Sequence, residues 1–560
     1  MKASIGPTAG FVAICLASCA QISSSPPSTD PAVAALPPIS NAPGTKILEA
    51  IAAPNPADKL AKATLPEIAA ALAAGDVSSE DMVAAYLARI ETIDRSGPTL
   101  QSVLSINPNA LADAKAADAA RAEGNLIGPL HGVPVLLKDN IETRDPLPTT
   151  AGALALKDNY VDRDAPLTAG LRAAGAIILG KTNLSQWANF RSTTSISGWS
   201  ALGGQVRNPH MLDRTPCGSS SGSGAAAAAA LAAATIGTET NGSVICPSAM
   251  NGIVGFKPTV GLVPQTGIVP ISSTQDTAGP MTRSVRGAAM MLTAMVQGPE
   301  PTDFAAPLDA GFLSGKRVGI LRFAEGDNPD VSEQFANALG TLEAQGVILV
   351  EIDTLALPDT FGKDEFAVLM AEFKETVNAY LADAAPAVTT RTLTDLIAFN
   401  EAHADIELTL FDQDILTMSD AQPPLTDDAY LSALETILTA ARAEGIDKLR
   451  ADYDVDLLVA PTLGPAFMVD AVHGDVSRRG IGAGYIAAIA GYPHITVPMG
   501  MVKGLPIGLS FIGTAGQDGD VLNAGYAFEQ ATLAIVEPAF LPNAEGVDTI
   551  HRAMRPYQED

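Results

Sequence analysis

The stretch from Gly218 to Phe256 constrains the fold most, because it consists largely of small residues. It reads GSSSGSGAAAAAALAAATIGTETNGSVICPSAMNGIVGF. Such a composition is found in low-complexity linkers and in tightly packed helices. Neither explains the small residues around Ser243, which are followed by Pro247 and a strand-like segment. Glycine-rich turns occur where backbone N–H groups approach a ligand closely, so the sequence predicts such a turn at Ser243.

Helix and strand signals alternate along the chain, which predicts an α/β fold. Thr64 to Glu67 form a capping-box pattern with proline near the helix start, and a second helix is predicted after Ser78. Leu130 to Leu137 has the pattern of a buried strand that ends at Lys138. Residues 300–455 are mainly helical and predict a helical insertion. Buried-strand patterns then return, which predicts one discontinuous core; these segments are 456–461, 494–497 and 507–512.

The composition indicates a large folded protein with an acidic surface. Hydrophobic residues make up 47% of the 560 residues, which is enough for a deep core. The formal net charge is −28, so the surface repels phosphate backbones and nucleic acid is not expected as a partner. The simplest function of this acidity is solubility.

The N-terminus has the features of an export signal. Lys2 precedes a short apolar stretch, Phe11 to Ala17, which is too short to span a bilayer as a helix. The following Leu16-Ala17-Ser18-Cys19 resembles a lipobox, so residues 1–19 predict a lipoprotein-type signal peptide with Cys19 as the lipidated residue. An ordinary signal peptide is the alternative. We therefore expect an exported, periplasmic protein, lipid-anchored to the outer membrane of a Gram-negative bacterium, that meets the membrane through this anchor alone.

The rest of the chain divides into three parts. Residues 20–45 are rich in serine, proline and alanine and predict a disordered linker. Residues 46–540 predict the folded domain, and residues 541–560 a C-terminal tail.

Lys138, Ser219 and Ser243 are the candidate catalytic residues, and none of their segments contains a histidine. A serine hydrolase without histidine needs a lysine held neutral as its base. The apolar strand before Lys138 would lower the pKa of its amine. Structural alternatives exist: Lys138 reaching solvent, or Ser219 capping a helix that begins near Ser223.

Two other signals point to different chemistry, and both are weak. Gly218 to Gly222 matches G-x-S-x-G, which would make Ser220 the nucleophile of an α/β-hydrolase, with His494 or His551 as its histidine. That motif needs a strand directly before it, and the preceding residues are loop-like. The six histidines are scattered without metal-ligand spacing, so no metal and no cofactor are expected.

The chain resembles the amidase signature family. The resemblance covers about residues 64–285 and 456–532, and its densest parts include GFKPTVGLVPQTGIVPISSTQDTAGPMTRSV, GKTNLSQWANF and YPHITVPMGMVKGLPIGLSFIG. It implies a large mixed β-sheet covered by helices on both faces. Within the family, CGSSSGSG and GTETNGSVICPSAMNG are most similar to bacterial peptide amidases, which hydrolyse peptide C-terminal carboxamides.

The family resemblance implies a Ser–cis-Ser–Lys relay. The nucleophile follows the serine of the cis peptide by 24 residues, and 243 − 219 = 24 here. Ser243 would attack the amide carbonyl, and Ser219 would pass its proton toward Lys138. Oxyanion donors would be backbone N–H groups of the turn, which comprises Thr240, Asn241, Gly242 and Ser243.

The sequence departs from the family pattern at two positions. Asn241 replaces a usual glycine, which would suit a position with positive φ. Ile245 replaces an arginine that tRNA-amidotransferase subunits usually carry.

Three functions are compatible with these features: hydrolysis of a small-molecule or peptide carboxamide to carboxylate and ammonia, the A-type subunit of a glutamyl-tRNA amidotransferase, and a membrane-tethered, non-catalytic binding protein on the same fold. The export signal and the acidity disfavour the second, and the three candidate residues together disfavour the third.

Cys217 and Cys246 flank the two serines. If the serines touch, these cysteines approach each other, and an exported protein meets an oxidising compartment. A disulfide bracing the site is one hypothesis, and the interpretation the sequence favours is two separate buried thiols.

Overall fold

We describe a computed structural model of the chain for residues 56–296, 302–476 and 480–556. The predicted signal peptide with Cys19, the predicted linker, residues 46–55 and the last four residues of the predicted tail lie outside the described residues.

The strands within these ranges are β1 Val103–Ile106, β2 Pro134–Lys138, β3 Ile177–Thr182, β4 Trp199–Ser200, β5 Gly204–Gln205, β6 Ala234–Glu239, β7 Val254–Lys257, β8 Thr277–Thr282, β9 Arg317–Leu321, β10 Ile348–Ile352, β11 Leu457–Pro461, β12 His494–Val502 and β13 Leu505–Ile512.

The α-helices within the same ranges are α1 Pro56–Leu60, α2 Leu65–Ala74, α3 Ser79–Arg89, α4 Ala110–Ala122, α5 Pro166–Ala173, α6 Ser221–Ala228, α7 Ile245–Met250, α8 Val285–Met295, α9 Pro329–Ala344, α10 Phe361–Ala382, α11 Leu393–Ala402, α12 Ala404–Glu407, α13 Asp414–Asp420, α14 Asp428–Ala441, α15 Asp447–Tyr453, α16 Gly484–Ala490, α17 Asp518–Thr532 and α18 Asp548–Ala553.

One mixed, 11-stranded sheet forms the centre of the fold. Its order is β1-β3-β2-β6-β8-β7-β12-β13-β11-β9-β10, while β4 and β5 form a separate hairpin. Strands β3, β2 and β6 run parallel, and so do β11, β9 and β10, whereas the strands between these groups pair antiparallel. Helices surround the sheet, which confirms the predicted α/β fold.

The predicted element signals correspond to real helix and strand ends. Thr64 and Glu67 form the capping box of α2, and the Ser78 side chain accepts a hydrogen bond from Asp81 N at the start of α3. Strand β2 ends at Lys138, and every residue of it is buried. The later strands β11, β12 and β13 join the same sheet as β2, so the core is discontinuous in sequence as predicted.

Residues 302–455 contribute strands as well as helices. Besides α9 to α15, this segment supplies β9 and β10 to the end of the sheet, which the sequence pattern did not predict. Both strands are short apolar runs, RVGIL and ILVEI, and such runs do not by themselves distinguish a strand from part of a helix.

The longest helix of this segment, α10, packs Phe373 into an apolar cluster that also contains Trp187. None of the helices in the described ranges combines the length and apolarity needed to cross a membrane.

Candidate active site

Lys138 lies at the carboxyl end of β2, beside the carboxyl end of β6. The two strands are parallel neighbours, with Leu137 paired to Ile236, so their ends meet at one edge of the sheet. The Lys138 side chain is fully buried. Its Nζ donates to Ser219 Oγ at 2.8 Å and to the Thr238 hydroxyl and carbonyl oxygens at 2.8 and 3.3 Å. The alternative of a solvent-exposed lysine is therefore wrong.

Burial lowers the pKa of Lys138 from 10.5 to about 7, because a charged amine loses its hydration there. The negative charges of Asp276 and Glu239 oppose this shift. A lysine in this state is neutral in a large fraction of molecules at neutral pH and can accept a proton.

Ser219 follows a cis peptide bond from Gly218, as the family resemblance implied. Ser219 is fully buried, and its carbonyl accepts a hydrogen bond from Ser185 N at 3.0 Å. A Cβ atom at Gly218 would lie 2.2 Å from Ser185 Oγ, so a larger residue would have to displace this hydroxyl group. Helix α6 begins at Ser221 with Ser220 as its N-cap, so Ser219 does not cap it.

Ser243 ends the turn that joins β6 to α7, and 8% of its surface is exposed. Its carbonyl accepts a hydrogen bond from Ser220 N at 3.1 Å, which ties it to the segment of Ser219. The Glu239 carboxylate accepts from Val244 N at 2.8 Å and from Ile245 N at 3.0 Å, which fixes the start of α7. Within the described residues, no side-chain hydrogen bond joins Ser219 to Ser243.

The turn before Ser243 has free backbone donors. Within the described part of the chain, the N–H groups of Asn241, Gly242 and Ser243 donate to no protein acceptor. Gly242 adopts φ +85°, and it has open space where a side chain would stand. An oxyanion could therefore approach these N–H groups.

Three side chains, from the segment before β8 and from α10, hold this turn. Thr240 Oγ1 donates to Asp276 Oδ1 at 2.5 Å, and Gln275 Nε2 donates to the Thr240 carbonyl at 3.3 Å. Asn241 Nδ2 donates to Glu365 Oε1 at 2.6 Å. The positive φ belongs to Gly242, so Asn241 is suited to its position by its amide contact instead.

Four residues of this site were not predicted from the sequence, which are Thr238, Gln275, Asp276 and Glu365. Gln275 and Asp276 lie in the SSTQDT run that carries the family resemblance, so a signal for them was present. Glu365 lies in the helical segment, where nothing in the local pattern marks it.

Cys217 and Cys246 form a disulfide with a Cα–Cα distance of 5.9 Å. The favoured interpretation of two separate thiols is therefore wrong, and the bracing hypothesis holds. The bond joins the segment before Ser219 to the first turn of α7. Because it closes a loop of 29 residues that contains both serines, it restricts their separation.

The other candidate residues have structural partners. Ser220 Oγ donates to the Thr238 carbonyl at 3.0 Å and accepts from Thr238 N at 3.1 Å. His494 bonds Ser510 Oγ through Nε2 at 2.7 Å, so it is not the partner of Ser220. Within the described ranges, no three His, Cys, Asp or Glu side chains are grouped as metal ligands are.

This geometry agrees with comparisons to known proteins. The family described as Amidase matches residues 81–522. The chain belongs to the amidase family, and it is an enzyme that hydrolyses amide bonds.

Particular relatives cover most of the chain. The "Probable amidase" of Arabidopsis thaliana is 38% identical over 505 residues, covering 86% of this chain and 92% of that protein. The A-type subunit of the glutamyl-tRNA(Gln) amidotransferase of Roseiflexus castenholzii is 34% identical, covering 82% of this chain and 94% of that protein. The native peptide amidase of Stenotrophomonas maltophilia superposes with a TM-score of 0.81 at 44% identity, covering 86% of this chain and 99% of that one.

Proposed function

We propose that Ser243, Ser219 and Lys138 form a catalytic triad that hydrolyses the C-terminal carboxamide of peptides to a carboxylate and ammonia. The observation that carries the proposal is the buried contact of Lys138 Nζ with Ser219 Oγ, at 2.8 Å. The lowered pKa of Lys138 and the free N–H groups beside Ser243 support it.

In the first half of the reaction, Ser243 Oγ attacks the amide carbonyl carbon. Its proton passes to Ser219 Oγ as the Ser219 proton passes to the neutral Nζ of Lys138. The N–H groups of Asn241, Gly242 and Ser243 stabilise the negative oxygen of the tetrahedral intermediate. The intermediate collapses with cleavage of the C–N bond. Ser219 gives its proton to the leaving nitrogen and is reprotonated by Lys138, so ammonia departs, Lys138 is neutral again and an acyl ester of Ser243 remains.

In the second half, a water molecule attacks the ester carbonyl and loses a proton along the same route. Cleavage of the C–O bond returns the proton to Ser243 and releases the carboxylate. The contact between Ser219 and Ser243 that this route needs would form on substrate binding, since catalytic hydrogen bonds often tighten in the enzyme–substrate complex.

The peptide amide is proposed as substrate on two grounds. The first is the 44% identity to a peptide amidase over most of both chains. The second is Ile245, which stands where amidotransferase subunits usually carry arginine. A tRNA-dependent amidotransferase component is the second candidate function, because a relative of that name also matches over 82% of this chain.

Ammonia release separates these candidates. The purified chain should release ammonia from a peptide amide without ATP, tRNA or a partner protein, and Ser243→Ala should abolish the release. Activity that requires tRNA and partner subunits would support the amidotransferase instead. Absence of turnover with peptide, aryl and fatty amides would support a binding protein.

A separate proposal concerns localisation. We propose that Cys19 is lipidated and anchors the exported protein in the periplasm; the support is the sequence motif Leu16 to Cys19 alone. In a Gram-negative host, radioactive palmitate should label the chain, and Cys19→Ser should remove the label. Export of an unlabelled wild-type protein would indicate an ordinary signal peptide.

A further inference from the structure

The turn that carries the oxyanion donors must be held by something other than its own N–H groups. If Asn241, Gly242 and Ser243 keep these groups free for the substrate, the turn is held through its carbonyl oxygens and side chains instead. Two such contacts reach Thr240: Asp276 Oδ1 accepts from its hydroxyl, and Gln275 donates to its carbonyl. The contact of the Asn241 side chain is with Glu365.

Glu365 connects two of the groups that hold the turn. Its Oε1 atom accepts from Asn241 Nδ2 at 2.6 Å and from Gln275 Nε2 at 3.3 Å. Because Gln275 also donates to the Thr240 carbonyl, a closed ring of contacts runs through Glu365, Asn241, Thr240 and Gln275. Loss of the Glu365 carboxyl group would release Asn241 and one bond of Gln275 together.

Glu365 belongs to α10, in the helical segment, and is 124 residues away from Asn241 in sequence. The residue is half-buried, and burial raises the pKa of its carboxyl group, while the hydrogen bonds from Asn241 and Gln275 lower it. The two hydrogen bonds tie this part of α10 to the turn.

We propose that Glu365 is a positioning residue for amide hydrolysis: it fixes the Asn241 side chain, and through it the orientation of the oxyanion N–H groups. This inference rests on the proposed function. It means that the helical segment completes the catalytic turn, although Lys138, Ser219 and Ser243 all lie outside that segment.

The test compares five variants in ammonia release from a peptide amide. Glu365→Ala should lower kcat about 10- to 100-fold, since a donor displaced by about 1 Å can cost 10²-fold. KM should change less than about twofold, because the effect is on the transition state. Glu365→Gln should restore kcat to within about fivefold of wild type, because its amide oxygen still accepts from Asn241.

Asn241→Ala should lower kcat by no more than Glu365→Ala does, and the double variant should be no worse than Glu365→Ala, because that variant already removes the contact with Asn241. Asn241→Ala tests the proposal even if Glu365→Ala does not fold. Glu375→Ala is the matched control: it removes an exposed carboxyl group from the same helix, and its kcat should equal that of wild type.

A second readout does not depend on turnover. A peptide trifluoromethyl ketone forms a tetrahedral adduct with a nucleophilic serine, and calorimetry should show weaker binding to Glu365→Ala than to Glu375→Ala. Wild-type kcat in Glu365→Ala, or losses that multiply in the double variant, would overturn the inference. If wild type and Ser243→Ala are equally inactive, the proposed function fails instead.

Discussion

At the scale of single residues, the site depends on Lys138, which the fold buries away from water. Lys138 has no carboxylate within hydrogen-bonding distance among the described residues, and its acceptors are hydroxyl and carbonyl oxygens of Ser219 and Thr238. These oxygens can accept hydrogen bonds from a neutral amine, and they carry no full negative charge that would hold the extra proton. Desolvation therefore dominates, and the pKa falls to about 7.

This pKa predicts the pH dependence of activity. The reactive form of Lys138 is neutral, so kcat/KM should fall about tenfold per pH unit below pH ~7 and level off above it. Steady-state rates between pH 5.5 and 9 on a peptide amide measure this, with circular dichroism to show that the protein stays folded. A flat profile across that range would contradict the role of Lys138 as the base.

Features of single residues could be predicted from the sequence where the signal is local. The apolar strand before Lys138 predicts its buried amine, and Gly218 precedes the cis peptide that the family resemblance implied, whereas the side-chain contact between Ser219 and Ser243 stays a prediction. Glu365 could not be predicted in the same way, because a hydrogen-bond partner 124 residues away leaves no local pattern. At position 241 the sequence revealed an unusual asparagine, but it did not reveal which residue the asparagine side chain contacts.

At the scale of elements, the disulfide joins the segment before Ser219 to α7. It packs in a small apolar cluster with Met211, Met250 and Leu505, so the bond is part of the core around the site. Its loop of 29 residues is long enough for cross-linking to restrict the unfolded chain considerably.

Removal of this bond should lower stability. Cys217→Ala combined with Cys246→Ala should reduce the free energy of unfolding by about 3 kcal/mol, the typical contribution of a disulfide closing a loop of this length. Thermal unfolding with and without reductant measures the effect in wild type, and the double variant should show no response to reductant. Equal melting temperatures for wild type and the double variant would contradict a bracing role.

At the scale of the whole molecule, a buried ion pair connects the catalytic core to the helical segment. Arg191 and Glu407 are both inaccessible to solvent and lie 3.2 Å apart. Arg191 also donates to the Phe411 carbonyl, while Glu407 accepts from Leu154 N at 2.8 Å. The pair therefore attaches α12 to loops of the core at several points.

Breaking this pair should be costly. Glu407→Ala leaves the Arg191 charge buried without its carboxylate, which typically destabilises a protein by about 3–5 kcal/mol. Asp452→Ala, which breaks the exposed pair with Lys448, is the control and should cost less than about 0.5 kcal/mol. Chemical denaturation of both variants makes the comparison, and similar midpoints would contradict the prediction.

Long-range packing limits what the sequence reveals at this scale. The alternation of helices and buried strands was sufficient for the α/β fold and for a discontinuous core. The assignment of β9 and β10 to the sheet was not predicted, because short apolar runs such as RVGIL and ILVEI also occur in buried helices.

The elements that lie between Ser219 and Ser243 fix the number of residues between these two serines. Helix α6 and strand β6 fill the interval from Ser219 to Ser243, and all residues of both elements are buried. Side chains alternate between the two faces of a strand, so one residue added to β6 would turn each later side chain to the opposite face. The interval therefore acts as a spacer of set length: surface loops of this enzyme can be lengthened, but a longer spacer would move Ser243 away from Ser219, its proposed proton acceptor.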